Sequence, residues 1–187
     1  MRVYIAGPDI FRPDASIWAE TVRALLARHG QQALIPIDGD ELTASGIYHA
    51  NLEMIRSADV VLANLNAFRG HEPDSGTCFE VGFATAQGKP VIGYLSDGRV
   101  QKDKVSDADG LRVENFGLPL NLMLALACRI VIGDLGTAVA ELSTLAFPSG
   151  RASSPLPMCL LIAPANSHPY TEARDSGNTR SPGAGQS

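Results

Sequence analysis

Long hydrophobic runs are missing from this chain of 187 residues: no apolar stretch approaches the roughly 20 residues that span a bilayer. The opening residues MRVYIAGPDI read as a buried strand, without the basic segment and long apolar segment of a leader, so a cytoplasmic location with no membrane partner is expected. Cysteine is scarce. Cys78, Cys128 and Cys159 are odd in number, far apart and without a CxxC or paired-His spacing, which argues against a disulfide framework and against a zinc or other metal site. Reduced, mostly buried thiols are the expectation. A basic excess is absent too: 15 Lys and Arg stand against 20 Asp and Glu, a formal net charge of −5, which disfavours a nucleic-acid polymer as partner. The loop after the first apolar run, Gly7-Pro-Asp-Ile-Phe-Arg-Pro-Asp14, lacks the G-x-G-x-x-G pattern, and no G-x-x-x-x-G-K-[ST] occurs. A cofactor pyrophosphate or a nucleoside triphosphate therefore has no cradle of the usual sort, and no cofactor is expected.

What is present is enough apolar material, 45% of residues, for one domain with a core. Composition shifts near Pro148: residues 148–187 hold six of the twelve prolines, and only Arg151, Glu172, Arg174, Asp175 and Arg180 are charged. Residues 1–147 are read as the folded domain and 148–187 as a low-complexity Pro/Ser/Gly-rich tail, mostly disordered. Its apolar stretch Leu156 to Ala163 docks on the body as a short strand, lies against a partner, or is inert. The tail's charges nearly cancel, so the acidic character belongs to the body.

Within the body, short apolar runs alternate with helical periodicity. Strands are predicted at Val3–Ala6, Ala33–Pro36, Asp59–Leu65, Val91–Leu95 and Arg129–Ile132. Helices are predicted over about 15–29, with Asp14 as cap and Gly30 as stop, and over about 48–57, 76–87, 118–127 and 135–145. A polar loop fills 96–109. This alternation implies right-handed crossovers and an α/β fold, a single-domain parallel sheet flanked by helices on both faces, flavodoxin/Rossmann-like.

Ligands in such sheets bind beyond the carboxyl ends of the strands, which draws attention to Gly7 to Phe11, Pro36 to Asp40, Leu65 to Thr77 and Ser96 onward. Gly7, Phe11 and Asp38 are candidate substrate-binding positions there, although an Asp-Gly-Asp at 38–40 equally suits a plain turn. The densest feature is Arg69 to Ala84. In it Gly76 permits close approach of the loop to a ligand, Ser75 or Thr77 can cap the next helix, and Glu80 lies in that helix's first turns, where the N-terminus favours its ionised form. An ionised carboxylate at the mouth of a sheet suits a nucleophile at a sugar's anomeric carbon; on residues alone, a solvent-facing salt bridge remains open. Arg69 and His71 precede it: the former meets a phosphate or is solvated, the latter touches a base or is simply exposed.

Five segments in order, Tyr4-Ile-Ala-Gly-Pro8, Asn51-Leu-Glu-Met-Ile55 with Ala58-Asp59, Asp74-Ser-Gly-Thr-Cys-Phe-Glu-Val-Gly-Phe-Ala84, Gly88-Lys-Pro-Val91 and Leu118-Pro-Leu-Asn-Leu-Met123, resemble the nucleoside 2-deoxyribosyltransferase family over about residues 1–146. The resemblance implies that Glu80 is the nucleophile, that Asp74 contacts the nucleobase and helps protonate it, and that Tyr4 steers Glu80. It also implies that Asn121, with Met123 beside it, reaches the sugar 5′-hydroxyl of a neighbouring subunit's site, hence a homo-oligomer, dimer or hexamer. Where some members carry an aspartate, this chain has Asn51, which leaves more of the protonation to Asp74. The implied reaction moves 2-deoxyribose between nucleobases through a covalent glutamyl-deoxyribose, with deoxynucleosides and free bases as small-molecule partners. Phe11, Phe68, Phe79 and Met123 are the apolar candidates for a wall against water. Two other readings stand beside it: hydrolysis of 2′-deoxynucleoside 5′-monophosphates, and a nucleotide-binding module without turnover.

Overall fold

A computed structural model of the chain describes residues 1–105 and 111–144. The predicted tail, Cys159 and part of the polar loop lie outside the described residues. The chain order is β1 (Arg2–Ala6), a 3-10 turn (Pro8–Phe11), α1 (Ala15–Arg28), β2 (Gln32–Leu34), α2 (Ala44–Ser57), β3 (Val60–Asn64), α3 (Ser75–Ala86), β4 (Val91–Leu95), α4 (Gln101–Lys104), α5 (Leu122–Ala127), β5 (Arg129–Ile132) and α6 (Leu135–Leu142). All five strands pair in parallel in the order β2-β1-β3-β4-β5. The fold expectation holds.

Strict alternation along the strands sorts side chains to the two faces. Tyr4, Ala6, Val61, Ala63 and Leu65 point to the face covered by α2, α3 and α5. Val3, Ile5, Val60, Leu62, Ile92 and Tyr94 point to the opposite face, under α1 and α6. Both layers are dry, so β1, β3 and β4 read as nearly unbroken apolar runs.

Local chemistry moved several boundaries. Helix α2 starts at Ala44, earlier than predicted, because the Thr43 hydroxyl accepts the Gly46 N–H at 3.0 Å. Strand β2 stops at Leu34 because the Ile35 N–H goes to Asp38 Oδ2, at 3.0 Å, instead of to a neighbouring strand. Helix α5 starts at Leu122, after Pro119 and capped by Asn121, and the polar loop contains the short α4. Asp14 makes no side-chain cap; its carboxylate takes the Arg12 guanidinium at 2.9 and 3.0 Å. The cap of α3 is Asp74, in place of Ser75 or Thr77.

With β1 flanked by β2 on one side and β3 on the other, the chain reverses its direction of winding between β1 and β3. That reversal opens a crevice at their carboxyl ends, the place where sheets of this order take ligands.

Candidate active site

Tyr4, in the middle of β1, has no exposed surface, and its phenol cannot stay unpaired there. It donates to Glu80 Oε1 at 2.6 Å. Glu80 is the sixth residue of α3, beyond the first turn, so the helix N-terminus exerts little hold on its charge. Burial dominates instead. The Glu80 carboxyl is pushed up to about 7, chiefly by desolvation; the Tyr4 hydrogen bond pulls it down and the nearby Asp74 charge pushes it up. The expectation of a carboxylate ionised by the helix end is thus corrected: near neutral pH the acid and anion forms are both populated. Tyr4 itself is driven far above the ordinary phenol range by burial and by Glu80, so it remains a donor at every physiological pH.

Asp74 holds the start of the same helix. Its Oδ2 accepts from the Thr77 N–H at 2.9 Å and the Thr77 hydroxyl at 3.0 Å, while Oδ1 has no partner among the described residues. Gly76 makes this possible, since a Cβ there would sit 3.1 Å from Asp74 Oδ2. Gly7 plays a similar part in β1's exit, where a Cβ would come 2.9 Å from the Asn64 Cβ. The backbone of the first loop therefore lies directly on the end of β3.

Phe11 and Phe68 come from the loops on either side of the crevice and stack, with centroids 5.7 Å apart and planes at 16°. The Arg69 guanidinium lies over both rings. Phe79 faces outward from α3 between Tyr48 of α2, at 6.0 Å, and Phe83, at 6.2 Å. Asn51 is half-buried four residues before the buried Ile55, on the same face of α2, and its side chain makes no hydrogen bond among the described residues.

Other predicted positions make their contacts outside this cluster within the single chain. Asp38 pairs with Arg23 and closes the end of β2, as the turn reading has it. Asn121 caps α5, its Oδ1 accepting the Met123 N–H at 3.0 Å and its Nδ2 donating to Glu114 Oε2 at 3.2 Å; Met123 is 73% exposed. No hydrogen bond or ring contact joins Asn121 or Met123 to Tyr4, Asp74 or Glu80 among the described residues. His71 lines a separate cavity of about 140 Å3 with Asn66, Asp97, Arg99 and Lys104, over the ends of β3 and β4. Cys78 is half-buried and Cys128 buried; both are free, and burial pushes both thiols up, Cys128 to about 12. Among the described residues no group of three or more His, Cys, Asp or Glu could hold a metal ion, and no helix there is long and apolar enough to cross a membrane.

One network escaped the sequence reading. Asn64, the polar end of β3, donates to Asp9 Oδ2 at 2.7 Å, and its Oδ1 accepts from Asn66 Nδ2 at 2.7 Å. Asn66 Oδ1 in turn accepts from the Ser96 N–H and hydroxyl at 2.9 and 2.8 Å. The carboxyl ends of β1, β3 and β4 are thereby laced together. A polar residue ending an otherwise apolar strand was the available signal.

Comparison with known proteins places the chain among relatives of one family and fold. The family model described as nucleoside 2-deoxyribosyltransferase matches residues 3–123. A 2-desoxiribosyltransferase from Leishmania mexicana is 40% identical, with a TM-score of 0.68, over 76% of this chain and 97% of that one. A 2-deoxyribosyltransferase from Bacillus psychrosaccharolyticus shares the fold, with a TM-score of 0.53 at 18% identity, over 79% of this chain and 93% of that one. Among curated proteins, C191.05c of Schizosaccharomyces pombe is 29% identical over 155 residues, which are 65% of this chain and 74% of that one.

Proposed function

The chain belongs to the nucleoside 2-deoxyribosyltransferase family, and on that premise we propose that it moves 2-deoxyribose between nucleobases by double displacement at Glu80. The observation that carries this reading is the half-buried Glu80 carboxylate held at 2.6 Å by the buried Tyr4, near the winding reversal between β1 and β3. A carboxylate meant only for solubility would stand in water. This one is half-buried, bonded on one oxygen to a buried phenol and pushed up to about 7 by desolvation, the kind of perturbation that functional carboxylates show.

In the first half-reaction a Glu80 oxygen bonds to C1′ as the C1′–N bond breaks through an oxocarbenium-like transition state. The electron pair leaves with the base, and Asp74 delivers a proton to the departing nitrogen, directly or through one water. Tyr4 holds the other carboxylate oxygen and so aims the attacking one. A second base then enters, its nitrogen displaces Glu80 from the same carbon as its N–H proton passes to Asp74, and both carboxyl groups return to their starting forms with net retention of configuration. Phe11 and Phe68 supply apolar surface at the crevice, which limits water's access to the intermediate.

Residues 1–147 form the catalytic domain in this reading, and a second copy supplies Asn121 to the sugar's 5′-hydroxyl. The apolar surface of Met123, 73% exposed, and Leu126, 50% exposed, on α5 supports such an assembly. A fully active protein that sizes as a monomer would remove that part.

Incubation with deoxyinosine and adenine should yield deoxyadenosine, at a rate that rises with pH through about 7 as Glu80 ionises. Denatured in mid-reaction, the protein should carry an added deoxyribosyl mass on the peptide holding Glu80. Base release without exchange would favour the hydrolase reading, and no turnover the binding-module reading.

A further inference from the structure

Arg69 is the one non-glycine residue with a positive φ, 52°, among the described residues. Backbone of this kind persists when surrounding contacts over-determine it, and such positions cluster at ligand-handling sites. Here the contacts are visible: the guanidinium carbon sits 4.6 Å from the centroid of Phe68 and 5.2 Å from that of Phe11. Those rings come from the two loops bordering the β1/β3 crevice, and the second loop runs on directly into Asp74 and α3. Stacking occupies the face of a guanidinium and leaves its hydrogen-bonding edge free. Arg69 makes no hydrogen bond or ion pair among the described residues, so its donors are all unspent.

We propose that Arg69 reads the nucleobase, selecting bases that present two adjacent acceptors, as N7 and O6 of a 6-oxopurine do. The planar fork of arginine matches that pair with two parallel N–H donations, whereas adenine offers N7 beside an amino donor and satisfies half of the fork. Phe11 and Phe68 make the neighbourhood one for a flat aromatic ligand. The assignment rests on the base-exchange reading above and names its substrate class.

The test is steady-state exchange from deoxyadenosine to hypoxanthine and from deoxyinosine to adenine, with wild type, Arg69→Lys and Arg69→Ala. Lysine keeps the charge and the same backbone demand while removing the fork. Wild type should prefer hypoxanthine over adenine in kcat/KM by roughly 10- to 100-fold, and both substitutions should collapse that ratio toward one, mainly through KM. A ratio that neither substitution moves, or a wild-type preference for adenine, overturns the assignment and leaves base exchange standing. Selective loss of deoxyinosine 5′-monophosphate use would make Arg69 a phosphate reader and overturn it as well. If wild type exchanges no base at all, the parent reading fails and this one with it.

Discussion

Helices α3 and α6 begin with nearly the same four residues, Asp74-Ser-Gly-Thr77 and Asp134-Leu-Gly-Thr137, each following a strand of the sheet. Their caps agree closely: Asp134 Oδ1 accepts from the Thr137 N–H and hydroxyl at 2.9 Å each, much as Asp74 Oδ2 does from Thr77. Beyond the cap the two helices diverge. Six residues on, α3 carries Glu80, turned inward onto Tyr4, while α6 carries the exposed Ala140 on a helix whose inward residues are Ala138, Val139 and Leu142. The position in the sheet differs too, because α3 follows β3 at the winding reversal and α6 follows the edge strand β5. An Asp-x-Gly-Thr start is therefore a folding device that serves either helix. On the proposed reading, chemistry enters only where an acid lies on the next turns and a buried donor waits beneath it.

Substitution can break that contrast, and the largest effect belongs to Glu80. Glu80→Gln keeps the shape and the Tyr4 contact but cannot form the glycosyl bond, so exchange should fall by at least about 1,000-fold in an initial-rate assay. The same variant should be more stable than wild type at alkaline pH. A carboxyl whose folded value lies near 7 and whose unfolded value lies near 4.5 holds its proton better in the folded state, so wild-type stability declines as pH rises across that interval. The glutamine variant escapes this penalty. Its advantage in denaturant melts should be near zero at pH 4 and about 2 to 3 kcal/mol at pH 8, and a constant difference across pH would show that folding leaves the Glu80 carboxyl at its ordinary value.

Asp74 sharpens the contrast further. Asp74→Asn retains an oxygen for the Thr77 N–H but loses the proton, so exchange should drop about 100-fold with little change in melting temperature. Asp134→Ala should do the reverse, lowering the melting temperature slightly while leaving the rate at wild-type level. Equal rate losses from both would reduce Asp74 to a cap.

Much of this was legible in the order of residues. The runs at Val3 to Ala6 and Val91 to Leu95 declare themselves as buried strands because two covered faces leave no polar positions. The six-residue interval from Asp74 to Glu80 puts a cap and an acid on one helix. Less visible was the start of α2, since Leu42-Thr-Ala-Ser45 has no apolar periodicity and only the Thr43 cap defines it. Burial was harder still. The ionisation of Glu80 depends on a tyrosine 76 residues away and on partial burial against the sheet, neither of which sequence spacing encodes. Arg69 reads as an ordinary loop cation until the rings of Phe11 and Phe68 are brought beneath it by separate strands.

The amide lacing from Asp9 through Asn64 and Asn66 to Ser96 has an effect on ligand affinity. Because the three strand tips are tied to one another when the chain folds, a nucleoside bound there, as the proposed function has it, would meet a floor that is already assembled. Little of its binding free energy would then be diverted into freezing loops, and more would be left to strain the glycosidic bond.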